Sequence, residues 1–135
     1  MATITTYTVP EVIDMARRAG LDKVADRLDY LYGLPLEDDD PMNPDSARSL
    51  VSFLTRHHRE LPEAGITMSH EGYVSAGWEF TEDDDLDVQF LPSGDVRFHY
   101  ASRDAGTGHF MERAMGKGKP DDMLKRVMPL VNNPM

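Results

Sequence analysis

The chain has 135 residues, of which 40% are hydrophobic and 28% charged, and its formal net charge at pH 7 is −10. This length and this balance predict one folded domain over residues 1–135 and argue against a disordered chain. Because the chain has no cysteine, structural disulfides, thiolate zinc sites and cysteine nucleophiles are excluded, and a cytoplasmic location is expected. It has no secretion-signal pattern and no run of about 18 apolar residues, so we expect no membrane association.

The first part of the chain, residues 9–61, is predicted to be helical. Thr8, Pro10 and Glu11 have the arrangement of a capping box with proline in the first turn, and Gly20 is expected to end the helix that follows. Helical spacing of apolar residues resumes at Asp22 and continues to residue 32. Two short helices, or one kinked helix, are therefore expected before residue 33.

An acidic and proline-rich loop follows at residues 34–44, where three prolines and four consecutive acids exclude a helix or a sheet interior. Asn43 or Asp45 is expected to cap the next helix, which should end near residues 61–62.

The spacing of apolar residues changes from helical to alternating at residue 66. The runs 73–80, 86–91 and 96–101 alternate apolar with polar residues, and residues 66–69 are a candidate fourth strand. The prediction is an α+β fold in which the N-terminal helices and a C-terminal helix pack on one face of an antiparallel meander of three or four strands, residues 66–101. Trp78 falls on the apolar face and is expected in the core.

Residues 102–135 are predicted to form a glycine-rich segment and a C-terminal helix. A short helix is expected over residues 110–115 and a longer one over residues 121–131, with Pro120 at its start and Pro129 ending it early.

The strand blocks GYVSAGWEF (residues 72–80) and VQFLPSGDVRF (residues 88–98) resemble a meander signature of small uncharacterised bacterial or mobile-element proteins. The resemblance covers under a third of the chain. It implies a bacterial or mobile-element origin and no particular activity.

No complete cofactor or metal motif is found. The glycines around residues 106–108 and 118 lack the spacing of phosphate-binding loops, and the acidic runs lack the glycine of a calcium loop. His57 and His58 are adjacent and should point about 100° apart on a helix, which is unsuited to zinc. We therefore predict no metal and no cofactor.

The negative charge is concentrated in two segments. Residues 35–45 contain five acidic residues and no basic one, and residues 66–101 contain eight acidic residues with Arg97 as their only base. Such a surface repels nucleic-acid phosphate and anionic lipid, and it attracts a basic partner if its acids share a face. The alternative is that the charge serves solubility alone.

The leading hypothesis is a non-catalytic interaction protein that binds a basic surface of a partner protein, as an inhibitor, an antitoxin-like or immunity-like protein, or a phage protein directed at a host machine. Direct nucleic-acid binding is not expected. The candidate partner-binding residues are Asp38, Asp39, Asp40, Glu79, Glu82, Asp83, Asp84, Asp85, Asp87 and Arg97.

The competing hypothesis is a small enzyme or ligand-binding domain. It uses the polar face of the sheet, where His99, Arg97 and Glu79, with His109 nearby, could supply acid–base chemistry and hold an anion. A third hypothesis is a homodimer formed through a sheet edge or the methionine-rich C-terminal part.

Overall fold

The fold was obtained as a computed structural model that describes residues 7–131. Within these residues the chain forms four helices and five strands. They are α1 (Val9–Arg18), α2 (Asp22–Tyr32), α3 (Pro44–His57), β1 (Gly65–Met68), β2 (Val74–Trp78), β3 (Asp84–Phe90), β4 (Val96–Arg103), β5 (Phe110–Gly118) and α4 (Pro120–Val131).

The first two helices begin and end as the sequence predicts. The Thr8 hydroxyl accepts from the backbone N–H of Glu11, and the Glu11 carboxylate accepts in return from the N–H of Thr8. Gly20 has φ of 80°, a left-handed conformation that favours glycine, and it separates α1 from α2. The capping box and the break into two helices are therefore confirmed.

Helix α3 is capped by Asn43, whose side-chain oxygen accepts from the N–H groups of Asp45 and Ser46. Its last residue is His57, so the predicted end near residues 61–62 is too late. After His58 the chain forms a turn, and the Leu61 side chain is buried in the core.

The predicted α+β class is confirmed, but the predicted strand number is wrong. All five strands form one antiparallel sheet in the order β1-β2-β3-β4-β5. The predicted short helix over residues 110–115 is part of β5, in which Ala114 lies opposite Tyr100. Residues 104–109 form a hairpin loop, closed by the bond from the Asp104 N–H to the His109 carbonyl, and this loop returns the chain alongside β4.

Helix α4 starts at Pro120 as expected, but Pro129 lies inside it. Proline cannot donate the helical hydrogen bond. Because Pro129 is in the last turn, only one such bond is lost and the helix continues to Val131.

The core lies between the apolar face of the sheet and the helices, and Trp78 is buried in it, as predicted. Phe53 of α3 packs against the Trp78 ring, at 5.9 Å between centroids, and against the Phe90 ring, at 5.6 Å. Helices α2, α3 and α4 contact β1, the β2–β3 pair and the β4–β5 pair respectively.

Ser46 ties α3 to the sheet from inside the core. Its hydroxyl donates to the Phe90 carbonyl at 2.6 Å and accepts from the Val74 N–H at 2.9 Å. A buried serine thus satisfies two strand groups that would otherwise lack a partner. Over residues 7–131, the helices are too short and too polar to cross a membrane.

Candidate functional site

The strand register places polar side chains together on the outer face of the sheet. Asp87 lies opposite Gly77 on one side and His99 on the other, and Arg97 lies opposite Gln89. The side chains of Asp87, His99 and Arg97 are exposed. The strand alternation therefore identified this face correctly.

A shallow groove of about 510 Å³ crosses the β1–β2 end of this face, and we call it the acidic groove. It is lined by Pro62, Glu63, Gly65, Gly77, Trp78, Glu79, Asp85 and Asp87. Gly65 and Gly77 are opposite each other in the sheet. A Cβ atom on Gly77 would come within 3.0 Å of the Asp87 carboxylate, so the carboxylate occupies space that a side chain at residue 77 would take.

The acidic groove has little compensating positive charge. Among residues 7–131, no ion pair involves Glu79, Asp85 or Asp87. Glu63 is 3.5 Å from the Lys23 ammonium, and both side chains are exposed. The lining of the groove has four carboxylates, Glu63, Glu79, Asp85 and Asp87, and no basic residue, so the groove is acidic.

Asp84 does not belong to the exposed acids, although the sequence placed it among the candidate partner-binding residues. It is 5% exposed, accepts from the Tyr100 hydroxyl at 2.7 Å, and accepts from the N–H of Thr81 at 2.7 Å. Asp84 is therefore unavailable to a partner. The same alternation that buries Leu86 and Val88 places Asp84 on the core face. The alternation in the sequence could therefore have indicated that Asp84 is buried.

Glu82 and Asp83 lie at the exposed β2–β3 turn, where the Asp83 carboxylate is 3.5 Å from the Arg103 guanidinium. In sequence they lie between Glu79 and Asp85, but they do not line the acidic groove.

Asp38, Asp39 and Asp40 are exposed in the loop between α2 and α3. The Asp40 N–H donates to the His70 carbonyl, which places this loop against the turn that joins β1 to β2. The acidic groove lies at the other end of the same hairpin, where Gly65 pairs with Gly77. The two acidic segments are therefore separated along the hairpin.

The four residues of the alternative ligand site are dispersed. His99 is 3.7 Å from the Glu112 carboxylate, whereas Glu79 follows β2, two strands away from β4. His109 lies in the β4–β5 hairpin loop. Arg97, His99 and His109 line none of the three cavities described for residues 7–131.

A cluster at the junction of α3 and α4 was missed by sequence reasoning. His57 Nε2 is 3.0 Å from Asp121 Oδ1, and Arg56 Nη1 is 2.9 Å from Asp121 Oδ2. The hydrogen bond with His57 and the positive charge of Arg56 lower the pKa of Asp121, although desolvation acts in the opposite direction. More than sixty residues separate these partners, so no local motif could have revealed the contact.

A second and larger cavity, of about 660 Å³, lies where the α1–α2 turn, the end of α3 and residues 61–66 meet. We call it the apolar cavity. Its lining includes the buried side chains of Leu21, Leu54 and Ile66, and the polar side chains of Arg27 and His58. Pro62, Glu63 and Gly65 line both this cavity and the acidic groove.

Within residues 7–131, no three or more His, Asp or Glu side chains are arranged to hold a metal ion. No protein-family model, curated protein sequence or solved structure matches the chain.

Proposed function

We propose that this is an acidic interaction protein that binds a basic segment of a partner protein in the acidic groove. The supporting observation is the group of carboxylates at one concave site, Glu79, Asp85 and Asp87, which form no ion pair with any residue from 7 to 131. An unpaired carboxylate that stays hydrated until a partner arrives can form charge-assisted hydrogen bonds with arginine or lysine. Charge complementarity of this kind directs both the rate and the specificity of association.

The proposed partner presents an arginine or lysine on an extended segment. Gly65 has open space where a side chain would stand, so a long basic side chain can lie close to the strand there, beside the Asp87 carboxylate that lies over Gly77. Asp87 and Asp85 are on the same face of β3, two residues apart, and Glu79 is on the neighbouring chain segment. This spacing suits more than one carboxylate contact with a single guanidinium group.

The test compares two triple variants of equal charge. Glu79→Gln, Asp85→Asn and Asp87→Asn neutralise the acidic groove, whereas Asp38→Asn, Asp39→Asn and Asp40→Asn neutralise the exposed loop. The probe is a fluorescein-labelled peptide of alternating arginine and glycine, followed by fluorescence anisotropy. We expect the groove variant to weaken binding by about tenfold or more and the loop variant to change it by about twofold or less.

Equal losses in the two triple variants would mean that total charge attracts the peptide, and would reject the acidic groove as the site. A natural partner can then be sought by affinity capture with washes at low and high salt. The role of this protein as an inhibitor, an antitoxin-like or immunity-like protein or a phage protein directed at a host machine, its cytoplasmic location and a homodimer stay predictions.

A further inference from the structure

We propose that the apolar cavity is a second binding site, and that it takes a small organic acid with an apolar body and a single carboxylate. Arg27 contacts the carboxylate and the surrounding aliphatic side chains hold the apolar body. This site adjoins the acidic groove, with which it shares Pro62, Glu63 and Gly65, and it does not depend on the function proposed above.

The size and lining of the cavity suit a small molecule. Its volume of about 660 Å³ lies within the range of roughly 300–1,000 Å³ that is typical of ligand pockets. Leu54 and Ile66, which are 3% and 4% exposed, belong to the packed core and give the cavity firm walls. Leu61 and Val24 extend the apolar lining.

Arg27 is positioned before any ligand arrives. Its Nε–H donates to the Ile66 carbonyl at 2.9 Å, and its guanidinium carbon lies 5.3 Å from the centre of the Tyr30 ring. Both contacts limit the motion of the guanidinium group. No hydrogen bond or ion pair among residues 7–131 uses the Arg27 Nη atoms, so they are available to form two bonds to a carboxylate.

His58 gives the cavity a second oriented polar group. His58 Nδ1 is 2.8 Å from the Leu54 carbonyl oxygen. Since a carbonyl only accepts, Nδ1 carries a proton, and Nε2 is the nitrogen left for a ligand. Nε2 accepts from a ligand N–H or O–H when the ring is neutral and donates to a carboxylate when the ring is protonated.

The other charged residues of the lining are Asp22, Lys23 and Glu63. Lys23 pairs with Glu63 at 3.5 Å. Within residues 7–131, neither Asp22 nor Arg27 forms an ion pair. Arg27 is the one held against the cavity wall, by its bond to the Ile66 carbonyl, so the proposed ligand is matched to its positive charge.

The test uses 4-phenylbutyrate as the probe and 4-phenylbutyramide as its neutral counterpart. Both are titrated into ¹⁵N-labelled protein while amide chemical shifts are followed by NMR. We expect saturable shifts at Leu21, Val24 and Ile66 with the acid, and binding of the neutral amide about tenfold weaker, because it lacks the charge-assisted bonds.

Arg27→Gln is expected to weaken binding of 4-phenylbutyrate by about tenfold or more, and Arg27→Lys, which keeps the charge, by less. Arg18→Gln removes an exposed arginine of α1 and is the matched control, with unchanged affinity expected. Val24→Trp is expected to fill the cavity and abolish binding, while thermal unfolding and the amide spectrum verify that each variant is folded.

Three results would overturn the site. They are the absence of saturable shifts with 4-phenylbutyrate, shifts located away from the cavity lining, and equal affinities of the wild-type and Arg27→Gln proteins.

Discussion

At the residue scale, the contact between Asp84 and Tyr100 shows how a charged residue is accommodated in the core. The Asp84 carboxylate accepts bonds from Tyr100, from the N–H of Thr81 and from the Thr81 hydroxyl. Tyr100 is 1% exposed. Burial, followed by the hydrogen bond and the negative charge of Asp84, raises the pKa of the Tyr100 hydroxyl well above its usual value.

Tyr100→Phe removes a donor from this buried carboxylate. We expect a loss of about 1.5–3 kcal/mol in the free energy of unfolding, because hydrogen bonds to charged groups are strong and Asp84 stays buried. Urea unfolding followed by tryptophan fluorescence measures the loss. Tyr30→Phe is the control, since Tyr30 is 59% exposed and its hydroxyl is expected to contribute little.

The raised pKa of Tyr100 also predicts how stability depends on alkaline pH. Folded protein keeps the Tyr100 proton at pH values where the unfolded chain loses it, above about 10. The unfolding free energy should therefore fall as pH rises above about 10, and this fall should be smaller in Tyr100→Phe. An equal dependence of the unfolding free energy on pH in the two proteins would contradict the assignment of this effect to Tyr100.

At the element scale, four helices and four strands, including the candidate strand over residues 66–69 that corresponds to β1, could be predicted in outline, but β5 could not. Val12 and Ala16 on α1, and Val88 and Phe90 on β3, recur at the periods of helix and strand, and these periods are visible locally. Residues 110–118 have no such period because Phe110, Met111 and Met115 are exposed and a bulge follows Tyr100 in the pairing. The strand β5 forms because its backbone pairs with β4, and this pairing is not visible in the local sequence pattern.

The candidate site could be predicted only in part, because strand alternation is visible in the sequence but contacts between distant segments are not. Alternation places Asp85 and Asp87 on the outer face, but the groove also needs Glu63, which precedes β1, and Gly65, the first residue of β1. The apolar cavity is lined by three separate segments of the chain, and no local sequence pattern indicates that these segments lie together.

The contact of α3 with α4 gives a prediction at the same scale. Asp121→Asn weakens the link with His57 and Arg56, and we expect faster hydrogen exchange in α4 with a loss of about 1 kcal/mol or less, because the carboxylate is half exposed. Asp122→Asn is the matched control, since Asp122 is in the same helical turn but forms no ion pair within residues 7–131.

The lowered pKa of Asp121 sets the sign of its pH dependence. The ionised Asp121 carboxylate stabilises the folded state above the ordinary aspartate pKa of about 4. This stabilisation is lost as pH falls through the lower pKa of Asp121 in the folded protein. Exchange in α4 should therefore accelerate below about pH 4 in the wild type and change less in Asp121→Asn. An equal acid response in both proteins would exclude Asp121 as its source.

For the whole molecule, the net charge of −10 implies self-repulsion in the folded state. Raising NaCl from about 0.01 to 0.15 M shortens the screening length from about 30 to 8 Å, and we expect Tm to rise. Differential scanning fluorimetry measures this, with the groove triple variant expected to respond less. A fall in Tm would mean that the exposed ion pairs outweigh the repulsion.

Residues 62–65 form a shared wall, because Pro62, Glu63 and Gly65 line the acidic groove and the apolar cavity alike. An occupant that displaces this segment from one side changes the shape of the other site. Thermodynamic reciprocity then requires a basic peptide and a small acid to alter each other's affinity by the same factor. Under the two proposals made above, the shared residues would link the binding of a small acid to the binding of a basic peptide.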